Sequence, residues 1–202
     1  MPGRAGWGFF VRVIVGLRNP GASYSATRHN VGAEAVANLA ASHQAGWRRR
    51  PLRARCETAG VRVGRQKVLL GLPLRMMNLI GGSVSYLVRY HRVEVEDLLI
   101  VHDDIDLPFG RLRIRAGGGS GGHNGVKSVA KALGSPDFWR LKIGVGRPPS
   151  GMDPANYVLK RFRASERQVI DQSVEGAAEL AELWVNEPLA ARQAAGEWKP
   201  PV

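Results

Sequence analysis

Apolar positions along this chain recur with two periods, one suited to strands and one to helices. Residues 9–17 have a β-branched, fully apolar centre, Val13 to Val15, as in a strand buried on both faces. The turn signal Arg18-Asn19-Pro20-Gly21 ends it. Val31, Ala35 and Leu39 then fall at helical spacing and predict a helix over about 30–42. Residues 56–63 and 67–72 read as two strands meeting at Gly64-Arg65 in a hairpin. A helix over 81–90 turns Val84, Leu87 and Val88 inward, and Leu98 to Val101 forms another buried strand. Over 111–116, Arg111, Arg113 and Arg115 alternate with Leu112, Ile114 and Ala116, so one face suits a core and the other suits phosphates. A helix over 125–133, a strand over 139–144 and a long helix over 166–185 complete the pattern. For that last helix Ser165 and Gln168 make a capping-box signature.

Strands alternating with helices, plus a hairpin, predict a single three-layer α/β/α domain of the α/β class, with a mixed, mostly parallel sheet. Residues 1–8 read as a loose N-terminal leader, 9–186 as the folded domain, and 187–202 as a C-terminal tail, partly frayed. The Pro/Gly-bounded segment 148–162 is a candidate lid.

Composition narrows the partners. Over 202 residues, Lys plus Arg exceed Asp plus Glu by 29 − 17 = 12. Such a field favours polyanions, nucleic acid first and anionic membrane second, with mere solubility as the plain alternative. The basic run at 47–55 is either a solvated loop or a nucleic-acid contact. No apolar segment approaches the length of a membrane span, and Arg12 interrupts the N-terminal apolar run, so neither a transmembrane helix nor a signal peptide is indicated. A cytoplasmic protein is expected. The single cysteine, Cys56, reads as a buried or incidental thiol.

The chemistry concentrates in residues 101–126. His102, Asp103 and Asp104 fall at the carboxyl end of a buried strand, the edge where open α/β sheets bind ligands. A glycine run, 117–122, then delivers His123 and Asn124 to the start of a helix. Gly117, Gly119 and Gly122 satisfy G-x-G-x-x-G, but the acid that should end the next strand of a dinucleotide fold is missing. Gly118, Ser120 and Gly122 satisfy G-x-S-x-G, yet no histidine follows Ser120 except His123, which breaks the order of a hydrolase triad. His29 sits near the start of another helix, whose dipole helps keep the imidazole neutral, as a base requires.

Four stretches taken together, GLRNPGASYSATRHN at 16–30, MMNLIGG at 76–82, HDDIDLPFG at 102–110 and GGGSGGHNG at 117–125, resemble bacterial peptidyl-tRNA hydrolase over nearly the whole chain. The resemblance implies a cofactor-free, generally monomeric enzyme that hydrolyses the ester between a peptide and the terminal ribose of tRNA, recycling prematurely released peptidyl-tRNA. By position it implies His29 as the catalytic histidine and Asp103 as its supporting carboxylate. Asn19, Asn78 and Asn124 would bind substrate, with Tyr24 and Met77 lining the site. Arg115 and Lys142 resemble the basic pair for the 5′-phosphate of tRNA. His123 belongs to the matching motif, with a structural role at the helix start as the other reading. Three positions depart from the family's usual pattern: Arg18, Met76 and Ile80. Arg18 bears on the site, since its guanidinium could crowd Asn19 or reach tRNA.

The residue chemistry fits independently. An activated ester needs only a positioned water and a general base, without metal or covalent nucleophile. His29 would take the water's proton while Asp103 held its tautomer, and Asn19 is the first candidate to meet the oxyanion. Two alternatives stay open: a metal set drawn from His102, Asp103, Asp104, Asp106 and His123, and an RNA-binding protein of the same fold without hydrolase activity.

Overall fold

The computed structural model describes residues 12–50 and 54–201. The expected leader and part of the basic run, 51–53, lie outside them. Val13 to Val15 form the middle of strand β1 (Arg12–Gly16), which lies inside a seven-stranded sheet between β4 (Gln66–Pro73) and β5 (Leu98–Asp104), parallel to both. Beyond β5 come β7 (Trp139–Gly144), also parallel, and β6 (Leu112–Ala116), antiparallel at the edge. On the far side, β3 (Cys56–Val63) pairs antiparallel with β4 through the expected turn at Gly64-Arg65, and β2 (Arg48–Arg50) pairs with β3. The order is β2-β3-β4-β1-β5-β7-β6, and only β3 and β6 run against the rest. The sheet is therefore mixed and mostly parallel. Part of the basic run, 48–50, is an edge strand and not a loop, which leaves the nucleic-acid reading of the run open.

Alternation along the strands feeds two cores. Ile14, Leu99, Val101, Leu141 and Ile143 face helices α1 (Val31–Ser42) and α5 (Ala164–Asn186). Val13, Val15, Leu98 and Ile100 face α2 (Gly81–His91) and α3 (Asn124–Leu133). These are the three layers expected from the pattern. On edge strand β6, Arg113 and Arg115 are exposed on one face while Leu112 and Ile114 are buried on the other.

Two sequence readings change. The tail expected to fray is helix α6 (Pro188–Glu197), with Ala191 and Ala195 buried and Trp198 against Gly176 of α5. Small residues there let two helices approach closely, which composition alone did not reveal. The start of α5 is held not by Ser165 and Gln168 but by Glu166, whose carboxylate accepts from the Arg163 N–H at 2.7 Å. Cys56 is buried, and burial pushes its thiol up to about 12.

Candidate active site

The chain reverses its direction of sheet growth at β1, with β4 on one side and β5 on the other, and the crevice opens at the carboxyl ends of these strands. His29 reaches that edge from a 3-10 turn, Arg28–Asn30, leading into α1. Close approach makes this possible: a Cβ on Gly32 would sit 2.2 Å from the carbonyl oxygen of Val101, so α1 starts directly against the backbone of β5. His29 and Asp103, 74 residues apart, thereby meet at 2.9 Å between Nδ1 and Oδ1.

Asp103 is the hub of the site. Its Oδ1 also lies 2.9 Å from Nε2 of His123, so two imidazoles converge on one buried oxygen. Burial alone would raise the Asp103 carboxyl, but His123 and His29 outweigh it and hold the group well below the usual carboxylate range. The ion stays charged throughout the working range.

The two histidines are not equivalent. Nδ1 of His123 accepts from the backbone N–H groups of Gly125 at 3.1 Å and Val126 at 3.3 Å, capping α3. Its proton must then sit on Nε2, donated to Asp103, and neither nitrogen is left for catalysis. His29 is turned the other way. Its Nδ1–H donates to Asp103, which leaves Nε2 free of that bond, and the residue lines a cavity of about 600 Å³. The structural reading of His123 is the one the hydrogen bonds support.

The same cavity is lined by Asn19, Met77, Asn78 and Asn124, by Ser120 to Gly122 of the glycine run, and by Asp153 to Ala155, Val158 and Leu159 opposite. Tyr24 lies outside this wall; its carbonyl instead accepts from Thr27 within the turn before His29. Asn19 is held by three bonds. Its N–H donates to Asn30 Oδ1 at 2.8 Å, its carbonyl accepts from Asn30 Nδ2 at 2.9 Å, and its side-chain oxygen accepts from the Met77 N–H at 2.7 Å. With the oxygen turned to the Met77 N–H, the donors that the Asn19 side chain offers are its Nδ2–H groups. Asn30 was legible in the sequence only as a helix start; its clasp on Asn19 depends on a contact between the two ends of the 19–30 loop.

Arg18 does not crowd Asn19. Its guanidinium donates to the Pro73 carbonyl at 3.1 Å and to Glu57 at 2.6 Å, away from the cavity. The candidate lid carries a short helix, α4 (Pro154–Val158), as one wall. Tyr157 Oη donates to the Val145 carbonyl at 2.9 Å, and the buried Arg28 guanidinium lies over the Tyr157 ring and donates to the carbonyls of Lys160 and Arg161. His29's own neighbour thus pins the opposite wall.

Arg115 and Lys142 share one face of β6 and β7 but are not opposite each other: Arg115 faces Arg140, and Arg113 faces Lys142. Lys142 Nζ is 2.7 Å from Asp104 Oδ2, a half-buried pair that outweighs the burial of Asp104 and lowers its carboxyl. The metal set drawn from the sequence does not assemble. Asp104 is with Lys142, Asp106 with Arg147, and His102 Nδ1 donates to the Asp103 carbonyl at 2.6 Å. His29, Asp103 and His123 do lie close enough to enclose an ion, within 4.8 Å of one another, but their 2.9 Å separations are those of hydrogen bonds.

Comparison with known proteins follows the geometry. The family model for peptidyl-tRNA hydrolase matches residues 13–199. The peptidyl-tRNA hydrolase of Kineococcus radiotolerans is 43% identical over 188 residues, covering 90% of this chain and 94% of that one. The one from Frankia alni is 41% identical over 181 residues, covering 90% and 91%. Among solved structures, peptidyl-tRNA hydrolase from Acinetobacter baumannii superposes with a TM-score of 0.88 at 31% identity, covering 98% of this chain and all of that one.

Proposed function

The chain belongs to the peptidyl-tRNA hydrolase family and is a hydrolase of the ester joining a peptide to the 3′-terminal ribose of tRNA; from that premise we propose that His29 and Asp103 perform the reaction without a metal. His29 Nε2 takes a proton from a water in the cavity as the water's oxygen attacks the ester carbonyl. The Nδ1–H bond to the ionised Asp103 fixes the reactive tautomer and stabilises the imidazolium that forms. The tetrahedral oxyanion is met by the Asn19 Nδ2–H, whose direction follows from the commitment of Oδ1 to Met77. Collapse expels the 3′-oxygen of the ribose, which takes the proton back from His29 Nε2.

Asn78 and Asn124 contact the peptide backbone, which any sequence presents, and Met77 packs beneath it. Carboxamides both donate and accept, which suits such a partner. Arg115 and Lys142 hold the 5′-phosphate. We place the enzyme in the cytoplasm, where tRNA is charged and used, and as a monomer, the state that the family resemblance implies.

The observation that carries this reading is the buried 2.9 Å bond from His29 Nδ1 to Asp103. Its test is turnover of N-acetylaminoacyl-tRNA by His29→Ala. kcat is expected to fall by about two to four orders of magnitude, with tRNA binding nearly intact. Asp103→Asn should also be impaired, because an amide favours the wrong tautomer. A well-folded His29→Ala enzyme with near-normal kcat would remove the histidine from the mechanism.

A further inference from the structure

The glycine run that forms one wall of the cavity has almost no side chains with which to anchor itself. Five of its six residues are glycine, and Gly118 adopts a φ of 104°, a conformation that an L side chain would resist. One end is tied down by His123, through Asp103 and the cap of α3. The other end is held by a residue from a different strand. Arg140, on β7, is 2% exposed, and its guanidinium donates to the carbonyls of Gly119 at 2.6 Å, Pro136 at 3.1 Å and Gly118. The ring of Phe138 lies 4.9 Å beneath it.

A buried guanidinium is costly to desolvate unless several acceptors converge on it. Here the acceptors are backbone carbonyls, two of them in the glycine run. We propose that Arg140 is the positioning residue for this run, fixing where Ser120 to Asn124 stand in the cavity and so where Asn124 meets substrate. The proposal rests on the assignment of Asn124 as a substrate contact. Arg140 touches no reacting atom. It acts through the loop, much as Asn30 acts through Asn19.

The planar fork of arginine explains why this side chain is used. Three carbonyls from two segments are reached by two nitrogens in one plane, which a lysine ammonium on a flexible stem cannot reproduce. The neighbouring charge sharpens the point. Arg115 faces Arg140 across the strand pair, and the two guanidinium groups flank Gly118, within 3.8 Å of where its Cβ would be. The carbonyl dipoles that bind Arg140 and the carboxylate of Asp137 offset that like charge.

The test compares Arg140→Lys and Arg140→Ala with the wild-type enzyme on N-acetylaminoacyl-tRNA. Amide hydrogen exchange is followed at Gly118 to Gly122, and Asn124→Ala is assayed in parallel. Both arginine variants are expected to lose kcat about ten- to hundred-fold, the scale of an ångström-sized misplacement, with KM changed much less and exchange accelerated in the glycine run. Guanidinium at millimolar concentration should restore part of the kcat of Arg140→Ala and slow that exchange. Wild-type kcat in folded Arg140→Lys, or a kcat loss with unchanged exchange in the run, would overturn the proposal. If either variant fails to fold alone, guanidinium rescue decides: recovery of structure without recovery of kcat counts against it. Full activity of Asn124→Ala would instead sink the substrate assignment, leaving the exchange data to judge Arg140 as the loop's anchor.

Discussion

His102 shows how much a single buried atom can decide. Its Nδ1–H is spent on the Asp103 carbonyl, its ring stands edge-on to His123 at 4.7 Å, and its Nε2 is buried without a partner. Burial, then the neighbouring His123, push it down to about 3. Unfolded, its ordinary value is about 6.5. Between those two values the unfolded chain binds a proton that the folded chain refuses, so this residue's contribution to stability is lost as pH falls from about 6.5 towards 3. The urea midpoint should therefore drop between pH 7.5 and pH 5, and His102→Gln, which cannot take the proton, should drop less. An equal drop in both proteins would contradict it. A second expectation at this scale concerns metal. Because His29 Nδ1 and His123 Nε2 are both spent on Asp103 Oδ1, turnover should survive EDTA unchanged. Loss of activity restored by Zn²⁺ would show that the three groups bind an ion instead.

At the scale of elements, the site depends on how tightly α1 is pressed against β5. Gly32 has no room for a side chain: its Cβ would meet the Val101 carbonyl carbon at 2.6 Å as well as the oxygen, and neither is a flexible group that could move aside. Gly32→Ala should destabilise the fold by about 1–3 kcal/mol, as overpacking does. It should also lower kcat, because the displaced helix carries His29 away from Asp103. Gly46→Ala is the control, since nothing lies within 4 Å of its Cβ position, and its effect should stay within about 0.5 kcal/mol. Urea midpoints and kcat for the pair check this; a neutral Gly32→Ala would mean that α1 can shift without cost.

At the scale of the whole molecule, the charge excess of 12 has a local outlet in the face of β6 and β7 that carries Arg113, Arg115 and Lys142. If Arg115 and Lys142 bind the 5′-phosphate, each contact should be worth roughly 1.5–3 kcal/mol. Losing one should reduce the salt slope of binding by about 0.7–0.9. The structure adds an asymmetry: Lys142 already pairs with Asp104 at 2.7 Å, whereas Arg115 is exposed. Arg115→Ala should accordingly lose more sensitivity to the phosphate than Lys142→Ala. The measurement is kcat/KM on N-acetylaminoacyl-tRNA with and without its 5′-phosphate, and equal fold losses on both substrates would refute the assignment. The described residues contain no helix long and apolar enough to cross a membrane.

Local pattern was enough to locate six of the seven strands and the helices α1, α2, α3 and α5, but not β2, α4 or α6. Val13 to Val15, the turn at Gly64-Arg65 and the strand 139–144 stand where periodicity placed them, because burial period and turn chemistry act over a few residues. His29, Asp103 and the asparagines were legible because each sits in a short motif at a strand end or helix start. What the tertiary structure alone decided is which of these groups touch, and with which atom. That Asp103 Oδ1 serves two histidines, that His123 spends its other nitrogen on a helix cap, that Asn30 clasps Asn19, and that Arg140 reaches the glycine run all depend on strand register and helix approach. Those are set by packing between segments distant in sequence. A hydrogen bond is won or lost within half an ångström, and only the assembled sheet brings its partners that close.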